Sequence, residues 1–195
     1  LYLVVIVVIG FILRLNFFPV GIPLTLDSLE YFFYAIDVST IGNLPTNYTP
    51  INNGWPILLS GFFSIFSFEN SISYMELQRS ISIIISVFTF IPIYYLCRKF
   101  VNSSYSIIGA AIFVFEPRII QNSLLGIADP LYIFLTTCTL VLIFNSQKKY
   151  TYFAFVLAAF AIMVRGEGLF LFIAISIIYL LKYRKNKKDI LKYSI

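Results

Sequence analysis

A small number of charged side chains in this mostly apolar sequence stand where they could do chemistry. Asp27 and Glu30 are three residues apart, which places both carboxylates on one face of a helix. Asp129 stands directly before a proline and an apolar run, and Arg165 lies between an apolar run and a glycine. A planar guanidinium can hold a phosphate at two points. We therefore treat these four as candidate site residues, with Arg165 as a candidate for binding a lipid phosphate.

Each candidate also has a purely structural explanation. Asp27 and Glu30 would stabilise the start of a helix through its dipole, and Asp129 before a proline fits a helix N-cap. Arg165 could pair with Glu167 in a plain hairpin turn, whose two glycines allow positive φ and a close backbone approach. A cap and a catalytic carboxylate are not exclusive, so both explanations stay open.

The basic residues are distributed unevenly among the gaps between apolar runs. Four arginines share their gaps with nearly all the acids, among them Arg118, which can pair with Glu116 or meet a phosphate. The other cations occupy alternate gaps in which Asp189 is the only acid: Arg98, Lys99, Lys148, Lys149, Lys182, Arg184, Lys185, Lys187, Lys188 and Lys192. Lys and Arg mark the cytoplasmic ends of membrane helices. The pattern therefore predicts a multi-pass plasma-membrane protein whose acidic gaps face outward.

Composition supports this prediction and limits the chemistry. Charged residues make up 12% of the chain and mean hydropathy is +0.89, too apolar for a soluble globule. The +5 net charge lies beside apolar runs, which indicates lipid contact and excludes a nucleic-acid footprint. There is no histidine, the commonest general base and metal ligand. Cys97 and Cys138 lie within or at the end of apolar runs, which favours packing over a disulfide or metal site.

The apolar runs predict an all-α bundle with six membrane spans. Residues 1–15 would be a truncated first span, because the chain starts without Met inside an apolar run, and we expect the sequence to be a piece of a longer protein. Residues 16–78 would form an external loop with two interfacial helices, one near Asp27 and one over Trp55–Phe68, a run whose length favours the interface. If this run crossed the membrane instead, the Arg98-Lys99 and Lys148-Lys149 loops would lie outside and the acidic gaps inside. Residues 79–195 would hold five further spans and a basic cytoplasmic tail, all in one membrane domain.

The order of these motifs resembles the amino-terminal part of GT-C membrane glycosyltransferases, in particular protein mannosyltransferases and aminoarabinose transferases. Asp27, Tyr31 and Ala35 match an Asp-Glu-x-x-Tyr-x-x-x-Ala helix in the first external loop, although Ser28 replaces the Glu and Glu30 stands two residues later. The other matching segments are Gly54–Leu59, Glu76–Arg79, Asp129 and the turn Arg165–Leu169. The resemblance spans nearly the whole chain.

The resemblance implies sugar transfer at the outer leaflet from a polyprenyl-phosphate donor to a protein, lipid or glycan acceptor. Asp27 would be the general base on the acceptor hydroxyl, with Glu30 in place of the missing second acid. The departing phosphate needs a cation, for which the alternatives are Arg165, Arg118, or a divalent metal ion held by Asp27 and Asp129. Two other classes stay open: a transporter or lipid flippase, which usually shows internal repeats that are not visible here, and a non-catalytic membrane scaffold.

Overall fold

A computed structural model describes residues 2–45, 52–145 and 147–183 of the chain. Within these ranges all regular structure is helical, as the sequence predicts. The ten helices are α1 (Tyr2–Asn16), α2 (Asp27–Ile41), α3 (Gly54–Ile65), α4 (Ser71–Phe88), α5 (Phe90–Cys97), α6 (Ser103–Phe115), α7 (Pro117–Leu125), α8 (Asp129–Ile143), α9 (Lys148–Val164) and α10 (Gly168–Tyr183). The predicted basic tail from residue 184 onward lies outside the described residues.

The helix α8 is the centre of the bundle. It packs against α4, α5, α9 and α10, while α1 lies against α4 and α6 on one side. The two helices expected in the first loop, α2 and α3, pack closely on each other, and α3 also contacts α9. Trp55 at the start of α3 is fully buried in the main apolar core. The loop helices are thus attached to the bundle by side-chain packing.

The N-cap interpretation of Asp129 is wrong, and Asp27 is not an N-cap either. The helix α2 begins at Asp27 itself, and its N-cap is Leu26, a non-glycine residue at φ 51° with no side-chain cap. The helix α8 begins at Asp129 after Ala128, again without a side-chain cap. In both helices the first carboxylate therefore lies inside the first turn, where the helix dipole still favours a negative charge. Neither carboxylate accepts a capping hydrogen bond from its helix, so both are available to a functional site.

The helix that contains Arg79 begins earlier than predicted. Asn70 caps α4 by accepting a hydrogen bond from the Ser73 amide at 2.8 Å, so the helix starts at Ser71 and takes in the end of the predicted loop. Arg79 is buried in the third turn of α4 and donates to the carbonyls of Ile22 and Pro23 at 2.6 and 3.0 Å. These two bonds hold the chain segment that leads into α2.

Within the described residues, fewer helices reach membrane-spanning length than the six spans that the sequence predicts. The helices α4 and α5 follow each other almost without a break. Taken together as Ser71–Cys97, they are the one helix in the described residues that is long and apolar enough to cross a bilayer by itself. The pair α6 and α7 meets the same test together, although it bends by 49° at Glu116, where Pro117 opens α7. The helix α7 was not predicted. The helices α1, α3, α8 and α10 are apolar but shorter, and α3 with 12 residues covers about 18 Å.

Gly168 lets α10 begin directly against α9. A Cβ at this position would lie 2.6 Å from the Ile162 nitrogen and 2.7 Å from the Ala161 carbonyl carbon, which no real Cβ tolerates. We expect Gly168→Ala to lower the free energy of unfolding in detergent by about 1–3 kcal/mol. Gly61→Ala is the matched control, because it lies in a helix with open space around it and should be neutral or slightly stabilising. Equal unfolding curves for the two variants would contradict the close approach.

Candidate active site

Four separate segments of the chain meet around one polar cavity of about 340 Å³ at the end of the bundle where α2 and α8 begin. It is lined by Asp27, Tyr31, Asn52, Ile127, Ala128, Asp129, Arg165 and Glu167. Three of the predicted site residues, Asp27, Asp129 and Arg165, are thus brought together although up to 138 positions separate them in the sequence. The cavity is the place where these charged groups could act on one substrate.

A buried glutamine joins the backbones that carry the two aspartates. The fully buried Gln78 donates through Nε2 to the Ser28 carbonyl at 2.9 Å and to the Gly126 carbonyl at 2.8 Å. Ser28 follows Asp27 directly, and Gly126 begins the turn that leads into α8. Trp55 Nε1 donates to the same Gly126 carbonyl at 3.1 Å. The starts of α2, α3 and α8 are therefore fixed relative to one another through α4.

The left-handed conformation of Gly126 makes the turn between α7 and α8. Its φ of 72° ends α7, and the chain re-enters a helix at Asp129. This turn brings Asn122 back beside Asp129, and its Nδ2 donates to Asp129 Oδ2 at 3.1 Å. Sequence reasoning missed Asn122, because a single asparagine seven residues before an acid is not a recognisable motif.

The turn containing Asn122 is attached to α1 by a buried arginine. Arg14 is fully buried and donates to the Ser123 and Ser86 hydroxyls, each at 3.2 Å, and to the carbonyls of Gly10 and Val114. These partners lie on α1, α4, α6 and α7, so one guanidinium links four helices. These four partners are all neutral oxygens, which indicates a structural role for Arg14.

Arg165 is the cation of the cavity. Its Nε and Nη2 donate to the two carboxylate oxygens of Glu167 at 3.3 and 2.9 Å, and its Nη1 contacts Asp129 Oδ1. The turn folds the Arg165 and Glu167 side chains together, as the hairpin interpretation requires. Hydrogen bonds to Glu167 raise the pKa of Arg165, with Asp129 adding to this, and the same bonds lower the pKa of Glu167. Both groups therefore stay charged at neutral pH.

Tyr31 and Asn52 add neutral polar groups to the cavity. Burial raises the pKa of the Tyr31 phenol, and the negative charges of Asp27 and Asp129 raise it further against an opposing effect of Arg165. Tyr31 is therefore a protonated hydrogen-bond donor at neutral pH. Asn52 stands beside Gly166 of the turn. Tyr31 matched the family pattern, whereas the sequence contained no signal for Asn52.

Two predicted site residues lie elsewhere. Glu30 is exposed one turn along α2 from Asp27 and is not among the side chains that line the cavity. Arg118 is exposed at the start of α7 and does not line it either. Helical spacing put Glu30 on the same broad face as Asp27, but the cavity opens over the side that carries Tyr31.

The charged groups do not fit the predicted metal site. Asp129 has one oxygen against Arg165 and the other against Asn122, so a divalent ion would have to displace both partners. Across residues 2–45, 52–145 and 147–183, no three His, Cys, Asp or Glu side chains are grouped so that they could hold a metal ion. Arg165 already supplies a positive charge to Asp129.

Comparison with known proteins assigns the chain to a family. The profile of the family described as dolichyl-phosphate-mannose-protein mannosyltransferase matches residues 54–195, which include Asp129 and the Arg165 turn. The chain belongs to this mannosyltransferase family. The resemblance noted in the sequence is thereby confirmed, and the family is one of glycosyltransferases associated with membranes. No curated protein and no solved structure gives a significant match.

Membership in the mannosyltransferase family decides between the three functional classes left open by the sequence. A glycosyltransferase needs polar groups on one cavity, and the described residues provide two aspartates, an arginine, a tyrosine and an asparagine there. The transporter, flippase and scaffold alternatives have no comparable support. The match begins at Gly54, so the roles of Asp27 and Tyr31 depend on the geometry alone.

Proposed function

We propose that the cavity transfers a sugar from a polyprenyl-phosphate donor to an acceptor hydroxyl. The observation that carries this proposal is the meeting of Asp27, Asp129 and Arg165 on one cavity. Such a reaction needs a base for the acceptor and a cation for the leaving group, and the carboxylate and the guanidinium can supply them. The carboxylate can take the proton of an attacking hydroxyl, and the guanidinium can stabilise the charge of a departing phosphate.

Asp27 is the proposed general base. It lines the cavity from the first turn of α2, is exposed, and makes no ion pair within the described part of the chain. As the acceptor oxygen forms its bond to the anomeric carbon, the hydroxyl proton passes to the Asp27 carboxylate. The bond between that carbon and the phosphate oxygen breaks at the same time, and the polyprenyl phosphate leaves with the electron pair. The second acid, Asp129, is neutralised by Arg165 and is the less suitable base.

Arg165 is the proposed site for the donor phosphate. Of its five N–H groups, three point at Glu167 and Asp129, which leaves one on each Nη. Two free N–H groups are enough for a two-point contact with phosphate oxygens. The side chain is 36% exposed, so a ligand can reach it. The existing carboxylate partners hold the guanidinium plane in place before the donor arrives.

The site is proposed to face the outer side of the plasma membrane, with a polyprenyl tail among the membrane lipids. The support is the charge distribution, since the cavity end carries the acids and the opposite end carries the lysines. In a Cys97→Ser, Cys138→Ser background, single cysteines at Asn47 and Ser146 should react with an impermeant maleimide from opposite sides of sealed cells. Both positions lie outside the described residues, but the labelling experiment does not depend on their structure. Reaction of both from the same side would contradict the topology.

The donor class is tested directly with membranes that contain the full-length protein. They should release polyprenyl phosphate from a polyprenyl-phosphate-linked hexose, at a rate that rises with the amount of protein. A nucleotide-linked hexose offered at the same concentration should give no transfer. Consumption of the nucleotide donor without lipid donor would overturn the proposal, and membranes without the protein provide the background.

A further inference from the structure

The end of the bundle opposite the cavity combines basic side chains from three chain segments. Phe100, in the loop between α5 and α6, stacks edge-on against Phe144 at the end of α8, with ring centroids 5.9 Å apart. The chain segments at this end of the bundle carry five cations: Arg98, Lys99, Lys148, Lys149 and Lys182. The described parts of these segments, residues 97–103, 143–145, 147–150 and 182–183, contain no acid. The described residues at this end therefore carry a net positive charge.

An apolar hollow of about 390 Å³ opens at this end between α8 and α10. Its walls are Ile143, Phe144, Ile178 and Leu181, and Lys182 stands at its rim. The Lys182 ammonium donates to the carbonyl of Ile143, the last residue of α8, at 3.1 Å and to the Asn145 carbonyl just beyond the helix. An ammonium has three N–H groups, so one remains for a further acceptor.

A second lysine lies close to the same rim. The Lys148 and Lys182 ammonium groups lie 5.7 and 5.5 Å from the centre of the Tyr183 ring. Lys148 also belongs to the first turn of α9, where the helix dipole is positive and a basic residue is locally unfavourable. Among the described residues that line the hollow, Lys182 is the one with a polar side chain.

We propose that this end binds one anionic phospholipid, with an acyl chain in the hollow and its phosphate at the Lys182 ammonium. Charge complementarity selects an anionic head group, since a zwitterionic lipid would add a cation beside several lysines. The apolar walls select a lipid over free phosphate. This lipid site lies at the opposite end of the bundle from the transfer cavity and does not depend on the proposed transfer reaction.

Native mass spectrometry of the full-length protein tests the lipid site. The protein is released from detergent after exposure to phosphatidylglycerol or phosphatidylcholine with identical acyl chains. We expect one phosphatidylglycerol to be retained per chain, with a preference of roughly tenfold or more over phosphatidylcholine. Glycerol phosphate, which has the anion without the chains, should not compete at the same concentration. Equal retention of both lipids, or full competition by glycerol phosphate, would overturn the proposal.

Variants separate a built site from general attraction between lysines and anionic lipid. Ile178→Trp fills the hollow and leaves every charge in place, so it should lower phosphatidylglycerol retention about tenfold. Leu181→Trp is the second variant, since Leu181 is 64% exposed and tolerates a larger side chain. Lys148→Gln removes a cation without touching the α8 contacts of Lys182 and should also weaken retention.

The matched control is Ile91→Trp, which enlarges an isoleucine on a different apolar groove of the bundle. It should retain phosphatidylglycerol as the unmodified protein does. Wild-type retention in both tryptophan variants of the hollow would show that the lipid is held only by bulk charge, and the proposal would fail. The same would follow if Ile91→Trp lost the lipid as well. Unfolding curves in lipid-free detergent show that each variant is folded.

Discussion

Full-length protein carrying Asp27→Asn should lose sugar transfer by roughly 10²- to 10⁴-fold, the usual contribution of a positioned general base. The amide keeps the size of the side chain and its place in the first turn of α2, but it has no lone pair basic enough to take the acceptor proton. The loss should lie in kcat, while the KM for the lipid donor changes little. Initial rates of polyprenyl-phosphate release, measured over a range of donor concentrations, check this.

Two further acids on α2 make the Asp27 experiment specific. Asp37→Asn changes the same functional group near the other end of the helix, outside the cavity lining, and should keep nearly full activity. Glu30→Gln tests the residue that the sequence offered as a second catalytic acid. Because Glu30 does not line the cavity, its loss should be far smaller than that of Asp27. If Glu30→Gln were as inactive as Asp27→Asn, Glu30 would have to be counted among the active-site residues.

Arg165→Lys should raise the KM for the lipid donor by roughly 10- to 100-fold, the equivalent of about 1.5–3 kcal/mol for a lost charge-assisted hydrogen bond. Lysine keeps the positive charge but offers one ammonium in place of a planar fork, so it cannot hold Glu167, Asp129 and a phosphate together. Steady-state rates against donor concentration give the KM, and unfolding in detergent shows whether the variant is intact.

Arg118→Lys is the control for the arginine prediction. Arg118 is exposed outside the cavity, so this change should leave donor KM within about twofold, as expected for a surface substitution. If Arg118→Lys raised the KM and Arg165→Lys did not, the phosphate would be bound at the start of α7. Wild-type donor use in both variants would remove the phosphate role from both arginines.

The all-helical fold and the general place of the site were predictable from the sequence. Long apolar runs with few charges leave helices as the structure that satisfies backbone hydrogen bonds inside the chain. The rarity of acids made Asp27 and Asp129 conspicuous, and an arginine between an apolar run and a glycine marked the turn at Arg165. These signals depend on residue type and local spacing, which a sequence shows directly.

Helix boundaries and the break in the α6–α7 region were less predictable. The start of α4 depends on the Asn70 side chain, an N-cap within a polar stretch that the hydropathy pattern assigned to the loop. The helix α7 begins at a proline and is not apolar enough to stand out from a loop. Capping is decided by a single hydrogen bond, so the position of one side chain moves a boundary by several residues.

Residue types and their order along the chain determined which charged groups were available, namely the acids of one set of gaps and the arginine of one turn. Only the tertiary structure decided which of them share a cavity. Asp129 meets Arg165 because Gly126 turns the chain and Gln78 holds that turn beside α2, whereas Glu30 and Arg118 point elsewhere. Contacts of this kind join residues far apart in the sequence. Their geometry depends on packing between helices, which no local spacing records.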